Sequence, residues 1–168
     1  MNVLSEKIKV VNATQPVADA FAAGDPLHLS DTVNLENYNK CTFIIATGAT
    51  TTADGVVTIL AGATNVTPAT AITFKYRTQI AAIPPAQGSD VPSTLTDAST
   101  SGFVMTASKI GGLYIIEVDA AVVAAAGTNF DHCSLHVAED TDDPQTACVI
   151  ALLSEPRYPQ DILVTAID

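Results

Sequence analysis

The chain has few of the residues from which catalytic and nucleic-acid-binding sites are usually built. Its 168 residues include no tryptophan, three histidines and only seven lysines and arginines, against eighteen aspartates and glutamates. The net charge of −11 repels nucleic acid, because binding to phosphates requires clustered basic side chains. Aromatic residues make up only 5%, which disfavours stacking platforms for sugars or single strands. We therefore expect no nucleic-acid partner.

The chain also lacks a long apolar run. A membrane-spanning helix needs about 18 or more consecutive apolar residues, so we expect no membrane span. The first residues, MNVLSEK, lack the basic and apolar regions of a secretory signal, so we expect synthesis in a cytoplasm. The three cysteines, Cys41, Cys133 and Cys148, are widely spaced and odd in number, which favours reduced, buried thiols. The sequence does not decide whether two of them form a disulfide.

Charged residues are scarce at 15%, below the usual ~25%, while apolar residues make up 48%. A chain of this length fits one domain and needs no metal or disulfide to stabilise its core. Two interpretations of the many Ala, Thr and Val residues remain open. They could form surface that contacts other protein, or they could be ordinary β-sheet surface.

Short β-branched segments separated by Gly, Pro, Asn and Asp predict an all-β fold. The predicted strands are residues 7–12, 41–47, 56–61, 71–77, 102–108, 113–119, 130–139 and 146–153, with weaker extended segments at 27–29 and 161–167. Because 41–47 and 146–153 are apolar on both faces, we expect them in the middle of a sheet. The pattern predicts an antiparallel β-sandwich of about eight strands with extended termini. We divide the chain into an N-terminal arm or edge strand (1–20), the sandwich (21–154) and a C-terminal tail (155–168).

Helix should be minimal. Asp119 can cap a short helix that ends at Gly127 in the left-handed conformation, and a second helix at 17–23 has weaker support. The proline-rich segment 84–90 should be a loop, because proline cannot donate to a strand ladder.

No set of residues converges on a catalytic or metal site. The histidines are His28, His132 and His136. On a strand His132 and Cys133 point to opposite faces, while His132 and His136 share a face about 13 Å apart, too far for one metal. On a helix the same spacing would suit zinc, so this conclusion depends on the strand. The favoured interpretation is that His132 and His136 are two polar residues on a solvated or interfacial face.

Three loops carry the remaining chemical motifs. The acidic segment 139–144 could bind calcium, but it lacks the glycine and distal glutamate of an EF-hand and is better explained as a hairpin loop. Residues 99–102 read as a turn, and the glycines at 111–112 precede a strand rather than the helix of a phosphate loop. We expect no enzyme activity, no catalytic, cofactor-binding or metal-binding residues, and no cofactor.

Three blocks, AITFKYR (71–77), TASKIGGLYIIEVD (106–119) and LSEPRY (153–158), resemble, in this order, blocks of small virion proteins that tailed phages and prophages encode close to their capsid genes. The similarity covers roughly residues 40–160. This resemblance to the capsid decoration or cement (auxiliary head) proteins implies a jelly-roll-like sandwich on the outer head surface of a virion. It also implies the major capsid protein as partner, a homo-oligomer with a trimer favoured, and no catalytic residues.

A second function remains open, a β-sandwich module of a head or tail fibre that binds a receptor or glycan. The absence of tryptophan and of a long trimerising stalk disfavours it. A small hydrolase on a jelly-roll scaffold would need histidine and carboxylate ligands that the sequence does not bring together.

Overall fold

In a computed structural model of the protein, the residues described are 7–17, 20–21, 30–50, 55–66, 68–79, 91–105, 112–139, 145–158 and 166–167. Eleven strands and one helix lie in them: β1 (Lys9–Val17), β2 (Val33–Asn34), β3 (Tyr38–Thr50), β4 (Gly55–Gly62), β5 (Thr70–Ile72), β6 (Phe74–Gln79), β7 (Thr96–Ala98), β8 (Phe103–Met105), β9 (Leu113–Asp119), α1 (Ala120–Ala125), β10 (His132–Glu139) and β11 (Gln145–Pro156).

The strands form two antiparallel sheets packed face to face. The six-stranded sheet has the order β1-β11-β3-β9-β6-β7, and the five-stranded sheet contains β2-β10-β4-β5 with β8 also paired to β4. The expected all-β antiparallel sandwich is confirmed. Strands β3 and β11 lie inside the six-stranded sheet, as their two apolar faces predicted.

Alternation along the central strands builds the core. Inward-facing Phe43 and Ile45 on β3 and Leu135 and Val137 on β10 are at most 1% exposed. Buried apolar surface stabilises the fold by roughly 25 cal/mol per Å². The period-two pattern therefore positions two apolar faces against each other across the sandwich.

The expectation of one strand at 71–77 is wrong. The chain leaves the five-stranded sheet after Ile72 and enters the six-stranded sheet at Phe74, with exposed Thr73 between them. Ile72 and Phe74 both stay buried, since the inner faces of both sheets point at the same core. This split, together with the short strands β2 and β7, raises the number of strands among the described residues from the expected eight to eleven.

Four aromatic side chains join the sheets along one side of the sandwich. Phe103 on β8 stacks on Tyr76 of β6 with ring centroids 4.0 Å apart and planes 3° from parallel. It also contacts Tyr114 of β9 at 5.9 Å and Phe74 at 6.1 Å. Since β8 pairs with the five-stranded sheet and the other three rings belong to the six-stranded sheet, the cluster holds this side closed.

The opposite side is closed by backbone hydrogen bonds from residues 30–31. The N–H of Ser30 donates to the carbonyl oxygen of Leu135 on β10, and the N–H of Asp31 donates to that of Ala13 on β1, each at 2.8 Å. This connection reaches both sheets and covers part of the outer edge of β1. Two register irregularities interrupt β1, the first at Ala13 between Asn12 and Thr14 and the second between Thr14 and Val17.

The described segments nearest the two ends of the chain contact the sandwich. Val11 and Ala13 of β1 lie in the core, and the buried Ala166 accepts a 2.9 Å hydrogen bond from the N–H of Asn34. Strand β11 continues through Pro156. The division of the chain into arm, sandwich and tail stays a prediction.

Helix α1 begins where it was expected, and Asp119 caps it by accepting from the N–H of Ala121 at 2.8 Å. The left-handed conformation expected at Gly127 is wrong; the positive φ occurs at Asn129, at 61°. Gly127 instead lies against the Phe130 ring, where a Cβ atom would approach to 2.7 Å.

A helix across 17–23 is also wrong at its start, because Val17 ends β1 and residues 20–21 form a turn. The predictions for 27–29, 84–90, 106–111, 140–144 and 159–165 lie outside the described residues. Among the helices that are described, none is long and apolar enough to cross a membrane.

Candidate functional surface

The outer face of the six-stranded sheet is apolar at its centre. Cross-strand register puts Ile150, Ile44 and Ile115 in one row on β11, β3 and β9, because Ile44 pairs with both of the others. A valine, two leucines, a cysteine and an alanine flank this row. We call the set the aliphatic face: Val10, Ile44, Ala46, Leu113, Ile115, Cys148, Ile150 and Leu152. All are partly exposed, and Val10 reaches 55%.

Charged side chains border the aliphatic face towards β6 and β7. Glu117, Lys75 and Asp97 follow one another across three strands, and Lys75 donates a hydrogen bond to Asp97. Near the start of β3, Lys40 forms a 2.9 Å ion pair with Glu155. The hydrogen bond and charge of Glu155 raise the pKa of Lys40. The apolar surface is therefore confined to the β1-β11-β3-β9 half of the sheet.

The outer face of the five-stranded sheet differs in chemistry. On β10 it presents His132, Ser134 and His136, and the His136 Nδ1 atom lies 3.2 Å from Thr58 Oγ1 of β4. The expectation that His132 and His136 lie on a solvated or interfacial polar face fails at His132, which is 7% exposed. Ser134 on the same face is 0% exposed. Alternation determines which way a side chain points, but burial depends on what packs over it. In the described part of the chain, the buried Ser134 Oγ has no hydrogen-bond partner.

The described histidines, His132 and His136, are not part of a group of metal-ligating side chains among the residues that the structure describes. His132 Nδ1 pairs with Asp131, and Cys133 points into the core, so the two neighbours face opposite ways, as the strand pattern predicts. Within the described ranges no three His, Cys, Asp or Glu side chains are grouped to hold a metal. His28 and residues 140–144 of the acidic segment lie outside those ranges.

The turn expected at 99–102 is confirmed. The N–H of Gly102 donates to the Ser99 carbonyl at 2.9 Å, and Gly102 has a φ of 75°. A Cβ atom at Gly102 would lie 2.0 Å from the Val57 carbonyl oxygen. This serine-rich segment is therefore a tight turn that brings β8 beside β4.

The cysteines occupy two different environments. Cys41 and Cys133 are both 0% exposed, and their thiols lie close enough across the sandwich to interact. Burial raises the pKa of the Cys41 thiol, and the contact with Cys133 raises it further. Cys148 lies on the aliphatic face and is partly exposed, so the expectation that all three are buried is wrong.

An open groove of about 760 Å³ lies at the end of the six-stranded sheet, beside the charged border. It forms where β6 begins at Phe74 while the neighbouring β9 continues to Asp119. Its floor includes Phe74, Val118 and Val122, and its rim includes Lys75, Asp97 and Glu117. The volume falls within the ~300–1,000 Å³ of small-molecule sites.

Comparison with known proteins found no matching family model, no significantly similar curated protein and no matching solved structure. The function is therefore inferred from the surfaces of the protein. The aliphatic face has a signal in the sequence, the two-sided apolar character of 41–47 and 146–153. The groove has no signal in the sequence, since its position depends on where β6 separates from β9.

Proposed function

We propose that this protein is a structural component of a tailed-phage virion that decorates or cements the outer surface of the capsid. The aliphatic face is the surface through which it contacts the major capsid protein. The aligned row of Ile150, Ile44 and Ile115 is the observation that carries this proposal.

Apolar side chains in such a row favour protein contact. Contiguous apolar patches on soluble proteins often mark interaction sites, and the buried centre of an interface is poor in charged residues. The aliphatic face has this character, with a charged border formed by Glu117, Lys75 and Asp97.

The edges of the sheets are less suited to association. Edge strands β2, β5 and β7 have two or three residues each, and β1 is irregular and bonded by Asp31 at Ala13. Short, irregular or covered edges discourage strand addition. This supports attachment through a sheet face rather than through the strand exchange that extended termini would favour.

Net charge supports the outer side of a shell. With eighteen acidic and seven basic residues, the protein is repelled by packaged nucleic acid. The charge does not oppose contact through the aliphatic face, whose eight members are uncharged.

Strand order supports the finer assignment of a jelly roll. Eight strands form the sets β1-β11-β3-β9 and β2-β10-β4-β5. Their chain order crosses repeatedly between the sheets, which is how two four-stranded sheets arise in a jelly roll, a fold found in capsid and lectin domains. Strands β6, β7 and β8 then form an insertion between β5 and β9.

The test is binding to capsid particles that lack this protein, with the variants Ile44→Glu and Ile150→Glu. We expect both variants to stay folded and to lose at least tenfold in affinity, because the interface would bury an unpaired carboxylate. The matched control is Val104→Glu, a similar change at a 56% exposed position paired to the other sheet. Full decoration by the Ile44 and Ile150 variants would contradict the proposed surface, and no decoration by the unaltered protein would contradict the proposed role.

A homo-oligomer, with a trimer favoured, completes the proposal, since oligomers with closed symmetry suit sites where capsid subunits meet. Sedimentation equilibrium of the purified protein measures the oligomeric state directly. A monomer at all concentrations would restrict the proposal to single copies.

A second function is supported by the groove. A receptor- or glycan-binding module of a head or tail fibre would use its apolar floor and the hydrogen-bonding groups of Lys75, Asp97 and Glu117. Glycan-array binding by the isolated protein, abolished by Glu117→Ala and retained by Ile44→Glu, would favour this function. A high copy number per virion with no glycan binding would favour decoration.

A further inference from the structure

We propose that Cys41 and Cys133 are a modification site, a pair of thiols that oxidises to a disulfide between the two sheets. Cys41 is on β3 of the six-stranded sheet and Cys133 is on β10 of the five-stranded sheet. Each side chain is 0% exposed, and the two thiols are in contact. The inference does not depend on the proposed function.

The fold selects this pair from the three that the sequence allows. Cys148 lies on β11 between the inward-facing Ala147 and Val149, so its side chain is on the outer face of the six-stranded sheet. The sheet itself separates Cys148 from the two core thiols. An intramolecular disulfide of the folded chain therefore joins Cys41 to Cys133.

The chemistry needs a two-electron oxidant, for which we name hydrogen peroxide. One thiolate attacks a peroxide oxygen, the O–O bond breaks, and a sulfenic acid forms with release of hydroxide, which takes up the thiol proton as water. The second sulfur then attacks the sulfenic sulfur, the S–S bond forms, and the leaving oxygen departs as water. Two thiols are oxidised, and one peroxide is reduced to two waters.

Burial sets the rate of this reaction. The thiolate is the reactive form, and the raised pKa of the Cys41 thiol keeps its population low. Oxidation should therefore be slow in the closed sandwich and faster at alkaline pH or when the sheets separate transiently. A reducing cytoplasm would keep the pair as thiols, whereas the medium outside a cell would permit the bond.

The disulfide would stabilise the fold mainly by constraining the unfolded chain. Positions 41 and 133 enclose more than half of the sequence, and closing a longer loop removes more chain entropy from the unfolded state. Formation of the bond also requires the Cα atoms of the two residues to lie within about 7 Å of each other. We expect a net rise in melting temperature of about 5 °C or more.

The experiment uses the full chain with Cys148→Ser, which removes the outer thiol and leaves the pair intact. The protein is incubated with hydrogen peroxide, with and without urea below the unfolding midpoint, then denatured for thiol counting and peptide mapping. We expect both thiols to disappear with a mass loss of two hydrogens, a peptide that links Cys41 to Cys133, and a melting temperature that falls back on adding dithiothreitol.

Two further variants keep the proposal falsifiable. Cys41→Ser and Cys133→Ser, each with Cys148→Ser, should form no intramolecular bond and show no thermal gain from peroxide. Two thiols that persist after prolonged exposure with urea, or oxidation that stops at sulfinic acid, would overturn the proposal. So would a linked peptide containing Cys148 in the unaltered chain.

Discussion

Replacement of Phe103 by alanine tests whether the aromatic cluster holds the two sheets together. The ring is 9% exposed and stacks on Tyr76 at 4.0 Å. It is also the one member of the cluster that belongs to a strand paired with β4. Its removal would therefore open a cavity at the junction and break every aromatic contact made across it.

The magnitude follows from burial. Substituting a buried phenylalanine by alanine costs about 3–5 kcal/mol, and the partial exposure of Phe103 places it in the lower half of that range, about 3–4 kcal/mol. Phe103→Leu keeps most of the apolar volume but loses three ring contacts, each worth about 0.5–1.5 kcal/mol. At the low end of that range we expect a loss of about 1.5–2 kcal/mol. Val104→Ala, at the next residue and 56% exposed, should change stability by less than about 0.5 kcal/mol.

Urea unfolding at 25 °C, followed by far-ultraviolet circular dichroism, measures these differences. With a slope of about 2 kcal/mol per molar, Phe103→Ala should lower the midpoint by roughly 1.5–2 M. A double-mutant cycle with Tyr76→Ala should give a coupling of about 1 kcal/mol or more. The reasoning would be refuted if Phe103→Ala cost under 1 kcal/mol, or if Val104→Ala cost as much.

Three further predictions concern backbone, titration and chain end. Gly102→Ala should destabilise the protein by at least about 2 kcal/mol in the same urea assay. Alanine is strained at the positive φ of this position, and its Cβ atom would clash with the Val57 carbonyl oxygen. The exposed neighbour Ser101→Ala is the control and should leave stability nearly unchanged. Burial raises the pKa of Tyr38, so its contribution to stability, present below about pH 10, should be lost as pH rises through the raised pKa. Tyr38→Phe should make the free energy of unfolding fall less steeply at alkaline pH. The same slope in the variant and the unaltered protein would contradict this prediction. Deleting residues 1–17 should lower the melting temperature by at least 5 °C, since Val11 and Ala13 are core residues. An unchanged melting temperature would instead favour an N-terminal arm that contributes nothing to the stability of the domain.

Local pattern was enough to predict the long strands. Strand β9 has the bounds expected from its alternation, 113–119, and the inward set Cys133, Leu135 and Val137 of β10 is buried as the period of two requires. In such segments a shift by one residue would expose every apolar side chain, so the sequence specifies register strongly.

The elements that pattern missed are short or depend on distant neighbours. Strands β2 and β7 have two and three residues, too few for a period to be recognised. The crossing at Thr73 keeps alternation intact while the hydrogen-bond partners change from β4 to β9 and β7. Gly127 carries the signal of a helix end, but its position is explained by the Phe130 ring.

The candidate surfaces were less accessible to sequence reasoning than the fold. Contact between Cys41 and Cys133 joins residues from opposite sheets, and nothing in their spacing selects that pair from the three available. Burial of His132 and Ser134 depends on what covers β10, which a strand pattern cannot reveal. Alternation places a side chain on a face, whereas the neighbours of that face determine its environment.

The structure also changes which residues support protein contact. Abundant Ala, Thr and Val admitted two interpretations, contact surface or ordinary β surface. Exposed members such as Ala63, Thr64 and Thr100 lie in turns and bends, where small polar or weakly apolar side chains need no partner. Ile44 and Ile150 support protein contact more strongly. They are large aliphatic side chains paired across central strands, so leaving them exposed to water costs more free energy. Apolar contact therefore depends on the arrangement of a few isoleucines and leucines on one sheet face rather than on overall composition.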